Sequence, residues 1–355
     1  IDPLNKPPYY YTFVVGGSYE VTAKLEADGK EYIVSNSLSR LTPITREVFH
    51  KWSYRRQITI NNTLNANNLT EYQVLINLDT ASLISTGKMR SDCGDIRFTD
   101  SDGKMLINHW LESDCNTAST KFWVKVPFIP ADSTKTIYVY YGNPMATTTS
   151  NGNATFNFFD DFETWSGWNY YRGGKVEQSS NQAYQGNYSL RKYQYSDPNG
   201  GYKLIGSIIG LGYIFEGWLY RPSSYMSTPQ NRLAIEDNSY NGYGFKVDHE
   251  RDFVRMEKRT DGLGDEIGVR VFWDPPEDSW YMFKFIMKPG GNFDVYFYDT
   301  SGNLLSQITN TSNSTYSSFD RIVVHGGAEF YIDLVRIRKY TSPEPTINVG
   351  EEETL

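Results

Sequence analysis

The chain has 355 residues, a formal net charge of -8 and 15% aromatic residues, led by 28 Tyr. That length implies two or three domains rather than one core. An acidic balance with no basic run excludes a nucleic-acid footprint, and no window approaches the ~18 apolar residues of a spanning helix, so this segment is not expected to insert in a membrane.

Residues 1–50 open in a Pro- and Tyr-rich stretch without a signal-peptide pattern, which reads as the interior of a longer polypeptide. Residues 9–15 and 19–25 favour strand, and Gly16-Gly17 between them reads as a hairpin turn. Residues 31–34 add a third short strand. Three such strands leave one face to cover, and so short a segment can hardly bury it alone. The run DPLNKPPYYYTFVVGGSYEVTAKLEADGKEYIV resembles the C-terminal sheet of type IV pilins and type II secretion pseudopilins. The resemblance implies the outer part of a minor pilin carrying a cargo, with pilus or filament subunits as partners. The other reading is a plain β-hairpin extension.

Residues 51–157 alternate apolar and polar positions in short runs, among them YRRQITI, YQVLINL, FWVKV and TIYVYY. Pro127, Pro130 and Gly142-Asn143-Pro144 punctuate them. Short strands with turn signals between them predict an antiparallel β-sandwich. Cys93 and Cys115 are the only cysteines. One even pair points to a disulfide in an oxidising compartment, the alternative being two buried thiols. Closing a loop of about 20 residues would stabilise the fold by ~3 kcal/mol. Asp92, Asp95, Asp100 and Asp102 are dense enough for a cation, yet read more simply as solvated turns. WSYRRQITI, DCGDIRFTDSDGK, HWLES, FWVKVPFIPADSTKTIYVYYGNP and the exit into FFDDFE closely resemble the domain of unknown function 2341 family. The resemblance implies a module of surface and secreted proteins and no particular activity.

Residues 158–342 carry at least ten strand-like runs, with hairpin signals at Pro289-Gly290-Gly291 and Thr300-Ser301-Gly302-Asn303. That density predicts a two-sheet jelly roll. Trp165, Trp168, Tyr170 and Tyr171 cluster at its start, and Tyr225, Tyr240 and Tyr243 sit in loop-like surroundings. Such aromatics can stack the C–H faces of sugar rings while amides and acids read hydroxyls, or they can simply fill the sandwich. FEGWLYRP, WYMFKFIM…GGNFDVYFYDTSGNLL and GAEFYIDLVRIRKY resemble the concanavalin A-like lectin/glucanase superfamily, which includes the laminin G-like domains. DDFE…AYQGNYSL also recurs in β-sandwich carbohydrate-binding modules. The resemblance implies a structural Ca²⁺ tying the first strand to the last, held by Asp161, Glu163, the segment at Asn187 and Asp333. Asp333 lies among apolar strand residues, where an unpaired carboxylate is costly, and pairing with Arg336 or Arg338 is the alternative.

Residues 343–355 end in Glu351-Glu352-Glu353 and read as an acidic tail. No strand carries the alternating acids of the resembling hydrolases. The carboxylates at Glu236-Asp237 and Asp265-Glu266 lie at strand ends and loops. The four His are scattered, and neither a nucleophile elbow nor a phosphate loop occurs. The whole reads as an all-β, multi-module, non-enzymatic protein of the cell exterior: a small N-terminal β-sheet, an antiparallel β-sandwich, then a two-sheet jelly-roll sandwich. Adhesion through a glycan or surface-protein ligand is the leading function. A structural outer-shell subunit is the alternative, and a glycan-active hydrolase the third. Asn-x-Ser/Thr sequons at Asn61, Asn68, Asn153, Asn187, Asn310 and Asn313 agree with an exterior location.

Overall fold

The computed structural model describes residues 51–112, 114–193, 199–223 and 230–355, together with three strands at 9–12, 20–25 and 30–34. Among the described residues the chain divides into two compact units, Ile1–Thr155 with Ser342–Leu355, and Phe156–Thr341.

In the first unit β1 (Tyr9–Thr12), β2 (Glu20–Leu25) and β3 (Lys30–Val34) form an antiparallel meander, as the turn signals predict. The remainder of the pilin-like stretch 1–50 lies outside the described residues. A five-stranded sheet joins β4 (Tyr54–Asn61), β6 (Arg97–Thr99), β7 (Leu106–Ile107), β10 (Thr134–Tyr141) and β26 (Thr346–Thr354) in the order β26-β4-β10-β6-β7. A three-stranded sheet joins β5 (Leu69–Leu78), β8 (His109–Leu111) and β9 (Thr120–Ile129) as β5-β9-β8. The period-2 pattern explains the core. Ile58 and Ile60, Val74 and Ile76, Phe122, Val124 and Val126, and Ile137 and Val139 all point inward and are buried together. One helical turn, α1 (Thr80–Ser85), starts where the Asp79 carboxylate accepts the Ser82 N–H at 3.0 Å.

The cysteines are joined: Cys93–Cys115 is a disulfide with Cα atoms 5.8 Å apart. The segment expected as an acidic tail is in large part a strand. β26 pairs along β4, and its acids meet cations and hydroxyls there. Glu353 pairs with Arg55 at 2.7 Å, while Glu352 pairs with Lys88 and accepts from the Tyr141 hydroxyl at 2.8 Å.

In the second unit an eight-stranded sheet contains β11 (Phe158–Asp160), β13 (Val176–Ser179), β14 (Ser189–Lys192), β16 (Tyr213–Tyr220), β21 (Trp280–Lys288), β22 (Asn292–Tyr298), β23 (Leu304–Ser312) and β25 (Phe330–Lys339). A seven-stranded sheet runs β12 (Asn169–Tyr171), β15 (Gly200–Ile209), β24 (Phe319–His325), β17 (Gln230–Glu236), β18 (Gly242–Asp248), β19 (Phe253–Thr260) and β20 (Leu263–Phe272). Their inner faces share one core. Phe215, Phe283, Phe285 and Phe297 come from one sheet; Leu233, Ile235, Phe245 and Met256 come from the other. All pairings are antiparallel, as a two-sheet jelly roll requires.

β25 carries a bulge. Glu216 faces Arg336 and Trp218 faces Asp333, so β25 has one residue more than β16 over this stretch, and Leu334 takes φ 46°. The extra residue lets Asp333 and Arg336 both point away from the core, although an odd number of positions separates them. Arg336 and Arg338 pair with Glu216 at 2.7 and 3.1 Å, so Asp333 does not depend on them.

Candidate functional site

Asp160, the last residue of β11, sets the local structure. It is buried, and its carboxylate accepts from the Phe162 N–H at 3.0 Å, the Ser166 hydroxyl at 2.6 Å and the Trp168 indole N–H at 2.9 Å. These bonds fold residues 160–168 into a tight loop, with Phe162 at φ 58°. Phe162 and Trp168 are buried, their ring centroids 5.9 Å apart. The loop thereby presents Trp165 outward beside β12. Trp165, Trp168, Asn169, Tyr170, Val176, Glu177 and Gln178 line a cleft of about 570 Å³. Trp165 is 38% and Tyr170 62% exposed. Polar groups at the cleft are held in place. Gln178 donates to the Phe162 carbonyl at 2.6 Å, and Glu177 accepts from Arg191 at 3.0 Å. Two exposed rings beside amides and a carboxylate give a site with stacking faces and hydrogen-bonding partners.

The other expected aromatics are placed differently. Trp168 reaches the cleft but is 5% exposed, with its indole N–H committed to Asp160. Tyr171 lies on the opposite side of β12 from Tyr170, buried, its hydroxyl donating to Glu236 at 3.2 Å. Tyr243 is a core residue instead of a loop one. It sits within β18 with an inward side chain, and its hydroxyl donates to Asn313 Oδ1 at 2.8 Å. Tyr240 is 38% exposed and stands edge-on to Tyr171, away from the Trp165 cleft. Tyr225 lies outside the described residues. Asp160 was not singled out from sequence, although it is the first acid of the Asp-Asp pair. The signal lay in the Asp-x-x-x-x-x-Ser-x-Trp spacing, which becomes meaningful only once the loop closes.

The expected metal ligands gather around one loop. Glu163 Oε1 accepts from the Asn187 and Tyr188 N–H groups at 2.8 and 2.9 Å. Asp333 Oδ2 accepts from Tyr184 and Gln185 N–H at 2.8 and 3.2 Å, and Oδ1 from Leu334 N–H at 2.7 Å. The two carboxylates thus grip residues 184–188 from both sides. Gly186, at φ 71°, sits against Glu163, and a Cβ there would collide with that carboxylate. Burial pushes the Asp333 carboxyl up to about 7 against the pull of its N–H donors, with Glu163 adding repulsion. Asp161 is set apart. Its carboxylate accepts the Glu163 N–H at 3.3 Å, and burial, with Asp160 and Glu163 adding repulsion, raises its pKa. Asn187 turns its side-chain N–H to Glu163 Oε2 at 3.3 Å. Among the described residues no three His, Cys, Asp or Glu side chains converge as a metal group. Gln185 Oε1, in the same loop, is buried and without a hydrogen-bond partner.

The dense acids of the first unit each have local partners. Asp92 pairs with Arg90, Asp95 accepts Gly142 N–H, Asp100 pairs with Lys135, and Asp102 accepts Lys104 N–H. They are turn and ion-pair residues.

The family model for a domain of unknown function, DUF2341, matches residues 92–170. An uncharacterized protein of Methanocaldococcus jannaschii is 45% identical over 186 residues, covering 52% of this chain and 19% of that relative. The chain therefore spans under a fifth of that relative's length. Among solved structures, the carbohydrate binding module CBM66 from Bacillus subtilis is 17% identical, with a TM-score of 0.38, covering 49% of this chain and 96% of that one. The endo-beta-1,4-glucuronan lyase of Trichoderma reesei is 12% identical, with a TM-score of 0.37, covering 54% and 98%. The CBM22-1 xylan-binding domain from Paenibacillus barcinonensis Xyn10C is 15% identical, with a TM-score of 0.29, covering 53% and 96%. With TM-scores this low, none of these likenesses bears on ligand or chemistry.

Proposed function

We propose that this chain is a non-enzymatic adhesion protein of the cell exterior whose second unit binds glycan in the cleft at Trp165 and Tyr170. The observation that carries the reading is the pair of exposed rings beside Asn169, Glu177 and Gln178 in one cleft. Exposed aromatics with fixed polar neighbours suit a sugar ring, which offers an apolar face and a hydroxyl rim. Three of the four acids weighed for hydrolysis, at Glu236-Asp237 and Asp265-Glu266, are engaged elsewhere. Glu236 pairs with Arg259, Asp237 caps its own turn, and Glu266 pairs with Arg255 and Arg270. Glycan-array screening followed by titration calorimetry tests the reading. Trp165→Ala and Tyr170→Ala should each weaken binding by about tenfold or more without changing Tm, since each loses an exposed stacking face. Binding indifferent to both changes sinks the cleft assignment. Silence across glycans and surface proteins favours the outer-shell reading.

Calcium is the structural cofactor we assign to the 184–188 loop. It takes six to eight oxygens, and Glu163, Asp333 and the partnerless Gln185 Oε1 are oxygens of that kind. Such an ion would neutralise two carboxylates that now accept from N–H donors alone. Added Ca²⁺ should raise the Tm of chelator-treated protein, and Asp333→Asn should abolish the gain. An identical melt with and without chelator removes calcium from the picture.

The disulfide supports an oxidising, exterior location, and the pilin-like stretch supports display on a fibre. Antibody labelling of intact source cells decides both. Label on filaments or the surface is expected; label confined to the cytosol overturns the location.

A further inference from the structure

We propose that the outward face of the seven-stranded sheet, where Arg172 and Arg321 interleave with Tyr202 and Tyr240, binds the carboxylate-bearing sugars of an acidic glycan. This rests on the glycan-binding reading and adds a second subsite with its own substrate class.

Adjacent residues of a strand point to opposite faces. Tyr170 serves the Trp165 cleft, so Tyr171 serves the other side of β12. There Tyr171, Tyr202, Ala234 and Val323 form a small apolar floor. Over it runs an alternating stack. Arg321 lies 5.1 Å from the Tyr202 ring centre and 5.5 Å from that of Tyr240. Arg172 lies 5.7 Å from Tyr240 and 5.9 Å from Tyr171. The strand register places the floor, because Tyr202 and Ala234 both face Val323, across β15–β24 and β17–β24.

The acids of this face are already neutralised from within. Glu236 pairs with Arg259, Glu257 takes Arg232, Arg255 and Arg259, and Asp320 pairs with Arg321 at 2.8 Å, so Arg321 serves the stack while its charge is already met. Arg172 is different. It is exposed, its guanidinium donates to the Asp261 backbone carbonyl, and no carboxylate among the described residues pairs with it. Stacking on Tyr240 holds the planar fork while leaving its charge uncompensated. A uronate fits such a group, because its carboxylate takes a charge-assisted pair with the exposed guanidinium. In a chain of net charge -8, an acidic polymer needs a local cation of this kind.

The test is affinity electrophoresis and calorimetry on the whole chain with polygalacturonate and, in parallel, neutral xylan and mixed-linkage glucan. Wild type should bind polygalacturonate, and Arg172→Gln should weaken that binding about tenfold or more while leaving neutral-glycan binding and Tm unchanged. Arg172→Lys should fall between the two, and raising salt from about 50 to about 500 mM should weaken polygalacturonate alone. Polygalacturonate binding that survives Arg172→Gln overturns the proposal. So does a wild type that binds neutral glycan through Trp165 but ignores polygalacturonate, in which case the cleft reading stands. Indifference to every polymer overturns both.

Discussion

Glu216 shows how this protein keeps charge inside a β-rich unit. Burial alone would raise its carboxyl, but Arg338, Arg336 and Lys284 outweigh burial and bring it down to about 2. A carboxylate depressed on folding stabilises the folded state above its unfolded pKa, near 4.5, and that contribution is lost as pH falls toward about 2. Acid unfolding followed by tryptophan fluorescence should therefore show a step in this window that Glu216→Gln removes. Glu216→Ala removes the buried carboxylate that Arg336 and Arg338 share, and its denaturant midpoint should report a loss of about 3–5 kcal/mol. Asp160 was hidden in the sequence for a related reason. A carboxylate's meaning depends on which N–H and O–H groups surround it, and for Asp160 these come from positions 162, 166 and 168 only after the loop has closed.

At the scale of elements, strand content was legible because period-2 alternation records which face is buried, as in β5, β9 and β10. The strand β26 was not legible. Its run of Glu carries no alternation of hydrophobicity, and its partners Arg55, Lys88 and Tyr141 are remote in sequence. Pairing with β4 supplies backbone hydrogen bonds and cations that composition cannot advertise. Truncation after residue 345 should thus expose the edge of β4 and lower the stability of the first unit. Hydrogen exchange would show it as lost protection along residues 54–61. The bulge in β25 is equally silent, because Leu334 is an ordinary apolar residue whose φ of 46° is imposed by its neighbours.

For the whole molecule, each unit builds a core of its own. The Cys93–Cys115 bridge lies in the first unit, its residues 22 positions apart. Reduction should therefore destabilise that unit by roughly 3 kcal/mol. Calorimetry with and without reductant should move its transition and leave that of the second unit in place. A reductant-insensitive melt would mean that the bridge constrains little in the unfolded chain.

The sequence by itself determined the all-β class and the jelly roll, and favoured a bridge between two lone cysteines, because alternation, turn residues and cysteine count are local signals. Only the tertiary structure decided which aromatics face solvent. Tyr170, Tyr171 and Tyr243 are the same residue type in similar surroundings, yet one is 62% exposed and two are buried. The physical reason is that exposure belongs to a face, and a face exists only after strands distant in the chain have paired. The same holds for Glu163 and Asp333, far apart in sequence and brought to one loop by the meeting of the unit's first and last strands.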